Sequence, residues 1–329
     1  MREIEITKKD EGQRLDKMLQ KYLNKAGKSF LYKMLRKKNI KLNGKKAAGS
    51  EKLKAGDRIV LYLAEETIEK FREEVKLQEQ KIALDVLYED ENVLLINKPY
   101  GILSQKAAKD DLSINEQIAP YALGRGLISA EDLERVKPSV CNRLDRNTTG
   151  ILIAGISVEG LQTMAELLKK REIEKYYFCM VKGEIKKKEK VSGYLIKDEK
   201  HNKVTVSRHK MGQSSYIETW YEPLCCKNGF TFLKVKLVTG KTHQIRAHLA
   251  GQGHPLAGDF KYGDEKTNKR LRSEFGVRGQ LLHCGEVRFP KKMERCINLQ
   301  GRKIQAPLPE KFEHVRLKLM GDAAWEAGM

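Results

Sequence analysis

The order of apolar and polar positions divides the chain into a short first part and a longer second part. In the first part, apolar residues recur at helical spacing over Leu15–Leu23 and again over Leu31–Leu35, with Ser29 as the predicted cap of the second helix. Ile40–Leu42 then meets Asn43–Gly44, a dipeptide typical of a tight hairpin turn, and residues 53–63 supply another strand. The pattern predicts two short helices and a few strands within residues 1–64.

The segment that follows, residues 65–82, is charged and contains few apolar residues. This composition suits a linker with some helical character. We therefore predict a first domain at residues 1–64, a linker at residues 65–82 and a second domain at residues 83–329.

The second part mixes strand-like and helical patterns. A strand pair is predicted between Leu84 and Ile96, and the apolar β-branched run after Gly150 predicts a buried strand. Ser157 is the predicted cap of a helix whose apolar side runs from Leu161 to Leu168.

Further strands are predicted at residues 174–181 and 230–238. Between them, residues 184–220 are rich in lysine and contain short strand-like runs. We interpret residues 184–220 as a hairpin insertion.

The formal net charge of +20 is the strongest compositional feature of the chain. An excess of this size costs self-repulsion unless the partner is a polyanion. The charge is concentrated in residues 1–64, where 18 lysines and arginines stand against 7 aspartates and glutamates. The alternative is a lysine-rich surface that only reflects the composition of the source organism.

Membrane spans, disulfides and metal sites are not predicted. No apolar run approaches the roughly 18 residues of a membrane span, and the amino terminus lacks a signal-peptide core, so we expect a soluble cytoplasmic protein. The six cysteines lack Cys-x-x-Cys pairing and are expected to be reduced. Among the histidines, the spacing of His243 and His248 does not place both on one helical face, which argues against a metal site.

One carboxylate, Asp145, lies between Arg143 and Arg146 in a polar cluster directly before the buried strand predicted after Gly150. The two flanking arginines favour the ionised form of this carboxylate. Such an anion is suited to attack or stabilise a cationic centre rather than to donate a proton. From spacing alone, a structural role in a surface loop is the more common alternative.

Residues 142–150, which read Asn-Arg-Leu-Asp-Arg-Asn-Thr-Thr-Gly, resemble the catalytic signature of the RluA-like pseudouridine synthases, usually His-Arg-Leu-Asp-x-x-Thr-Ser-Gly. Asn142 replaces the histidine and Thr149 replaces the serine, and both replacements keep a hydrogen-bonding side chain. The resemblance implies that Asp145 is the catalytic aspartate.

Three further runs resemble motifs of the same family. The Asn-Lys-Pro-x-Gly turn at residues 97–101 starts the catalytic domain near the RNA surface in those enzymes, which implies an RNA contact for Lys98. Lys175–Tyr177 resembles the Lys-x-Tyr motif and implies that Tyr177 is the active-site tyrosine; Tyr176, on the opposite face of the strand, is the alternative. In the Gln-Ile-Arg motif the arginine pairs with the catalytic aspartate, which implies that Arg246 meets Asp145.

The first part of the chain resembles the RNA-binding domain named after small-subunit ribosomal protein S4, on Arg14–Asp16, Lys28–Ser29 and the Asn43–Gly44 turn among other residues. The resemblance implies a positive face for phosphates, with Lys17 and Lys28 on the first helix and Lys33, Arg36 and Lys37 on the second. Arg143 and Arg146 are the expected RNA contacts beside the active site. The lysine-rich hairpin insertion at residues 184–220 is also expected to be able to touch RNA.

Taken over nearly the whole chain, the resemblance is to the ribosomal large-subunit RluC/RluD type. It implies an α+β fold, in which a small S4-type RNA-binding domain precedes a catalytic domain with a mixed, mainly antiparallel sheet flanked by helices. It also implies a monomer that detaches uracil from C1′ of a uridine and rejoins it through C5, with RNA as partner and without cofactor or metal. A synthase acting on transfer RNA, a non-catalytic RNA-binding or ribosome-assembly factor, and a nucleosidase are the alternatives.

Overall fold

A computed structural model of the chain describes residues 1–73, 82–198 and 203–321. It has a four-stranded sheet at the amino-terminal end and an eleven-stranded sheet in the rest of the chain. The large sheet is mixed, mainly antiparallel and flanked by helices, so the predicted α+β class is confirmed.

The first sheet packs against two short helices around a small apolar core. Its strands are β1 (Arg2–Glu5), β2 (Ile40–Leu42), β3 (Lys45–Lys46) and β4 (Arg58–Leu61), in the spatial order β1-β4-β2-β3, and the helices are α1 (Leu15–Tyr22) and α2 (Lys28–Arg36). The turn predicted at Asn43–Gly44 joins β2 to β3, with φ angles of 52° and 72° that suit a tight two-residue hairpin.

Two predictions about these helices were wrong. Helix α2 is capped by Gly27 rather than by Ser29, because the extended backbone of Gly27 ends the preceding loop one residue before Lys28. Ser29 therefore lies exposed in the first turn. Lys28 opens α2 and does not lie on the first helix, since α1 already ends at Tyr22.

The beginning of the predicted linker is helical and packs against the first core. Helix α3 (Glu65–Phe71) buries Ile68 completely in that core, and its Phe71 ring lies 4.3 Å from the ring of Phe30. Residues 74–81 of the predicted linker lie outside the described residues.

The large sheet contains β5 (Val86–Glu89), β6 (Val93–Lys98), β7 (Ser139–Val140), β8 (Thr149–Gly155), β9 (Glu174–Lys182), β10 (Glu189–Asp198), β11 (Lys203–Ser207), β12 (Ser215–Lys227), β13 (Phe230–Leu237), β14 (Leu282–Arg288) and β15 (Lys303–Gln305). Its main path runs β11-β10-β12-β13-β9-β14-β8-β6-β5, with β7 added to β8 and β15 added to β14. The pairing of β14 with β8 is parallel and brings two distant parts of the chain side by side at the centre of the sheet.

The helices of this part are α4 (Asn115–Gly124), α5 (Ala130–Arg135), α6 (Val158–Lys170), α7 (Gln244–Gly251), α8 (Glu265–Phe275) and α9 (Glu310–Met320). The predicted cap of α6 is confirmed, because Ser157 Oγ accepts the N–H of Gly160 at 2.9 Å. The predicted strand after the Asp145 region is also confirmed, since every residue of β8 is buried.

The hairpin predicted within residues 184–220 is present, because β10 pairs with β11. It is not a separate insertion, since β10 also pairs with β12 and extends the large sheet. The physical reason is the alternation of burial along these strands, since Val191, Leu195 and Ile217 are buried while their immediate sequence neighbours are exposed or only partly buried. Asn202, part of the predicted hairpin, lies outside the described residues.

The two sheets are joined by polar contacts between the first part and α5. Arg135 donates to the buried carboxylate of Asp10 at 3.0 Å, and Lys9 pairs with Asp132 at 2.9 Å. Within the described ranges, none of the helices combines the length and the hydropathy needed to cross a membrane.

Candidate active site

Residues 141–148, which we name the Asp145 loop, join β7 to β8. The loop turns at Asp145, whose carbonyl accepts the N–H of Thr148 at 3.0 Å. Leu144 is buried and exchanges two bonds of 2.9 Å with the Ser104 hydroxyl, one through its N–H and one through its carbonyl. Asn142, which departs from the family signature, accepts the N–H of Ile153 at 2.8 Å and so fixes the start of the loop.

The RNA contact predicted for Lys98 was wrong, because its side chain is fully buried. Its ammonium donates to the carbonyls of Pro99, Ile102 and Arg146 at 2.9, 2.8 and 3.0 Å. Burial lowers the pKa of Lys98 to about 7, while the charge of Asp145 acts in the opposite direction. Because each of the three N–H donors has an acceptor, Lys98 links the Asp145 loop to the turn at residues 99–102.

Gly150 allows the loop to close against β14. Its φ is 102°, and a Cβ at this position would lie 2.2 Å from the carbonyl oxygen of Cys284. Since only glycine tolerates both the backbone angle and this approach, the close pairing of β8 with β14 requires glycine as the last residue of the signature.

Arg246, on α7, bridges two carboxylates. Its Nη1 donates to Asp145 Oδ2 at 2.8 Å, while Nε and Nη2 donate to the two oxygens of Asp259 at 2.7 and 2.9 Å. Asp259 is fully buried, whereas about a quarter of the Asp145 side chain is exposed. Arg246 is therefore anchored on its buried side and presents one N–H to the carboxylate that solvent or a substrate can reach.

The charged groups of this cluster are stabilised by ion pairs with one another rather than by solvent. Burial opposes the charged form of Asp259, but the hydrogen bonds from Arg246 outweigh it and lower the pKa of that carboxyl. Burial likewise opposes the charged guanidinium, and the bonds to Asp259 and Asp145 outweigh it and raise the pKa of Arg246. The guanidinium therefore remains charged beside Asp145.

His243 approaches Asp145 from another direction. Its Nε2 lies 3.9 Å from Asp145 Oδ2, and its Nδ1 lies 2.9 Å from the hydroxyl of Tyr262. His243 caps α7 with a left-handed backbone, at φ 54° and ψ 16°, which is uncommon for a residue with a β-carbon. Burial lowers the pKa of His243, which favours the neutral imidazole.

The two candidate tyrosines on β9 lie in different surroundings. Tyr177 is buried and its side chain is hydrogen-bonded to that of Cys284. Burial is the main cause that raises the pKa of Tyr177 well above 10, and Cys284 and the charge of Asp145 raise it further. Tyr176 points to the other face of the sheet, where its hydroxyl donates to Glu174 at 2.9 Å. Tyr177 is thus on the same side of the sheet as Asp145.

The arginines that flank Asp145 in sequence do not neutralise it in space. Arg146 is exposed and pairs with Asp111 at 3.5 Å, and Arg143 is exposed as well. The expectation that these neighbours hold Asp145 ionised is corrected, since the guanidinium in contact with it is that of Arg246.

The basic residues predicted to bind RNA in the first part are all exposed: Lys17, Lys28, Lys33, Arg36 and Lys37. Within the described part of the chain, none of these side chains is paired with a carboxylate, whereas Arg14 beside them is paired with Asp16 at 3.0 Å. Positive charge on this surface is therefore not compensated by the protein itself.

Asp259, His243 and Tyr262 were not assigned a role from the sequence. His243 stands in the same run as Arg246, at residues 239–249, while Asp259 and Tyr262 stand in a second run at residues 254–263. The available sequence signal for Asp259 was its position in a glycine-flanked run shortly after Arg246. The sequence could not show that the two side chains pair, because tertiary packing brings them together.

Two further histidines have separate partners, with His248 at 3.0 Å from the Thr219 hydroxyl and His283 at 2.8 Å from the Thr149 hydroxyl. The residues that the structure describes contain no cluster of three or more potential metal ligands. All six cysteines are free thiols, as the sequence predicted.

Comparison of the sequence with known proteins assigns the chain to a family. Residues 92–251, which include the Asp145 loop and α7, match the family model described as RNA pseudouridylate synthase. Ribosomal large subunit pseudouridine synthase C of Vibrio vulnificus is 30% identical over 323 residues, which cover 95% of this chain and 94% of that protein. The chain belongs to the RNA pseudouridylate synthases. It is therefore an isomerase that converts uridine to pseudouridine in RNA, as the sequence predicted.

Other members of the family are similar over comparable lengths. Ribosomal large subunit pseudouridine synthase C of Escherichia coli K12 is 29% identical over 327 residues, covering 96% of both chains. Among solved structures, human RNA pseudouridylate synthase domain containing 4 aligns with a TM-score of 0.57 at 21% identity, over 71% of this pseudouridylate synthase and 92% of the human chain. At that identity, the human structure supports the shared fold alone.

Proposed function

We propose that this synthase acts on uridine in large-subunit ribosomal RNA and that Asp145 is the residue that reacts at the ribose. The observation that carries the catalytic part is the 2.8 Å contact of the anchored Arg246 with the partly exposed Asp145. The substrate part is supported by the names of relatives that match nearly the full chain.

The reaction suits an ionised carboxylate. Breaking the glycosidic bond develops positive charge at C1′, and the carboxylate of Asp145 either bonds to that carbon or removes the 2′ proton of the ribose. Both routes need the anion, and Arg246 stabilises it in a partly dry site.

Tyr177 is the proposed contact for the uracil ring. Because its pKa is raised well above 10, its phenol stays protonated at neutral pH and is not suited to accept the proton that leaves C5. We assign it packing against the base, and Tyr176 a structural role on the other face.

Both proposed domains are expected to bind RNA. Residues 1–64 would serve as the S4-type domain, with its uncompensated lysines and arginines on phosphates, and residues 83–329 as the catalytic domain. The target uridine has to leave its stack, and the exposed Arg143 next to Asp145 is suited to occupy the vacated space, with Arg146 on the backbone. We propose a monomer that works in the cytoplasm.

The test uses the full-length protein and unmodified large-subunit ribosomal RNA labelled with tritium at C5 of uridine, since rejoining through C5 releases that tritium to water. The wild type is expected to release tritium and Asp145→Asn to release none, while both bind the RNA with similar affinity. Release by Asp145→Asn would remove Asp145 from the mechanism. Small-subunit ribosomal RNA and transfer RNA are the control substrates, and preferential reaction of transfer RNA would overturn the substrate assignment.

The product distinguishes the other classes. Thin-layer chromatography of the digested RNA should show pseudouridine monophosphate, whereas a nucleosidase would produce free uracil. Binding of RNA by the wild type without either product would indicate a non-catalytic RNA-binding factor.

A further inference from the structure

The carboxylate of Asp145 is held at one point only by Arg246. Nε and Nη2 of Arg246 bind Asp259, so Asp145 Oδ2 is contacted through one guanidinium nitrogen, Nη1. A single contact restrains the distance of a carboxylate but leaves its plane free to rotate. A second contact from a different direction is needed to hold the carboxylate in one orientation.

His243 is the side chain in that second direction. It lies three residues before Arg246, so both side chains leave the start of α7 on the same side. Its Nε2 is 3.9 Å from Asp145 Oδ2, which is too long for a hydrogen bond but becomes one after a small rotation of either group. Catalytic contacts are often this loose before substrate is bound.

The contact of His243 with the Tyr262 hydroxyl favours one tautomer of the imidazole. The hydroxyl of Tyr262 accepts the N–H of Val204 at 2.9 Å, so its own hydrogen is available for donation. His243 Nδ1, 2.9 Å from that oxygen, is placed to accept it. With Nδ1 as the acceptor, the single hydrogen of the neutral imidazole is on Nε2, the nitrogen that faces Asp145.

Tyr262 is itself held firmly. Its ring lies edge-on to the His243 imidazole, with centroids 5.6 Å apart, and packs against the guanidinium of Arg246 at 5.1 Å. Its backbone N–H donates to Asp259 at 3.1 Å. The same turn therefore anchors Arg246 through Asp259 and sets His243 through Tyr262.

We propose that His243, set in its Nε2–H tautomer by Tyr262, is a positioning residue that orients the Asp145 carboxylate during the reaction at the ribose. The inference rests on the proposed role of Asp145. It assigns His243 a hydrogen-bond donor role and not a proton relay.

The experiment compares His243→Gln, His243→Leu and Tyr262→Phe as full-length proteins. A glutamine amide can place an N–H near the position of Nε2, whereas leucine has similar bulk and no donor. The measurements are the single-turnover rate constant of tritium release at saturating protein, and the RNA dissociation constant. We expect His243→Leu to be about 30-fold slower than wild type, and His243→Gln within about fivefold of it, because a hydrogen bond to a charged group is at stake.

The RNA dissociation constants of these variants should stay within about twofold of wild type, since the loss is in the reaction and not in binding. Tyr262→Phe keeps the ring but releases Nδ1, and should slow the reaction about fivefold because part of the imidazole population then carries its hydrogen on Nδ1. A His243→Leu rate within threefold of wild type, or a His243→Gln variant as slow as His243→Leu, would overturn the proposal.

If His243→Leu does not fold, as judged by its melting transition, His243→Asn replaces it. The shorter amide of asparagine reaches the position of Nδ1 and not that of Nε2, so it should be slow where His243→Gln is fast; equal rates would overturn the inference. Failure of the proposed function is a separate outcome, because it appears in the wild type as RNA that contains no pseudouridine.

Discussion

The guanidinium of Arg246 holds two aspartates from distant parts of the chain, Asp259 on its buried side and Asp145 on its accessible side. The two carboxylates differ in what their removal should do. Asp259 is fully buried and accepts two bonds from Arg246, whereas Asp145 accepts one and is partly exposed. This asymmetry separates a stabilising role from a reactive one and leads to the first prediction.

Asp259→Asn should lower both stability and activity, while Asp145→Asn should lower activity alone. Loss of the buried partner leaves Arg246 with only the partly exposed Asp145 as counter-charge, at a cost of about 3 kcal/mol in the free energy of unfolding. Urea denaturation and the single-turnover rate constant should be measured on both variants. Equal stability of the two variants would contradict the anchoring role of Asp259.

Lys98→Met should destabilise the protein without weakening RNA binding. Methionine has similar length but no donors, so the carbonyls of Pro99, Ile102 and Arg146 lose their buried partner, and we expect a loss of about 2–4 kcal/mol. The exposed Arg143 provides the matched control, because Arg143→Met should weaken RNA binding at unchanged stability. A weaker RNA affinity of correctly folded Lys98→Met would restore the RNA contact originally predicted.

Tyr177 and Tyr176 can be told apart by conservative changes. Tyr177→Phe keeps the ring and should slow the reaction less than about tenfold, while Tyr177→Leu removes the stacking surface and should slow it about 100-fold. Tyr176→Phe, on the opposite face, should leave the rate constant unchanged. A strong effect of Tyr176→Phe in the tritium-release assay would reverse the assignment.

The exposed lysines and arginines of the second helix should govern RNA affinity and its dependence on salt. The triple variant Lys33→Gln, Arg36→Gln and Lys37→Gln should reduce the slope of the logarithm of the binding constant against the logarithm of salt concentration by about 2 to 3. Filter binding at several salt concentrations measures this slope. The same change in charge at Lys186, Lys187 and Lys188, which are also exposed, provides the control.

His283 should make the fold sensitive to acid. Its Nε2 donates to the carbonyl of Ala306 and its Nδ1 accepts from Thr149, so the neutral form is required, and burial lowers the pKa of His283 to about 4. An unfolded histidine titrates near 6.5, so the unfolded chain binds more protons between pH 4 and 6.5. The contribution of His283 is therefore complete above pH 6.5 and is lost as the pH falls towards 4, by about 3 kcal/mol.

His283→Gln keeps a donor for Ala306 and does not titrate. Its free energy of unfolding should fall less than that of the wild type between pH 7 and 4.5, measured by urea denaturation at each pH. Parallel pH dependence of the two proteins would assign the acid sensitivity to other groups.

Several features followed from local sequence because they depend on neighbouring residues. Burial of β8, the Ser157 cap of α6 and the Asn43–Gly44 turn are each set within a few positions of the chain. Side-chain periodicity reports which face of an element is buried, and turn and cap residues report where it begins or ends. The Ser29 cap was predicted wrongly because it concerns a helix boundary, where several nearby residues compete for the same position.

The partners of the charged groups were decided by tertiary structure. Spacing favoured Arg143 and Arg146 as the neighbours of Asp145, but Arg146 pairs with Asp111, and Arg246 reaches Asp145 from 101 residues away. The sequence by itself determined the α+β class and, through the family motifs, which residues to expect near the site. Only the packing of β8 against β14, and of α7 against the Asp145 loop, determined which charges meet, because long side chains pair according to distance in space and not along the chain.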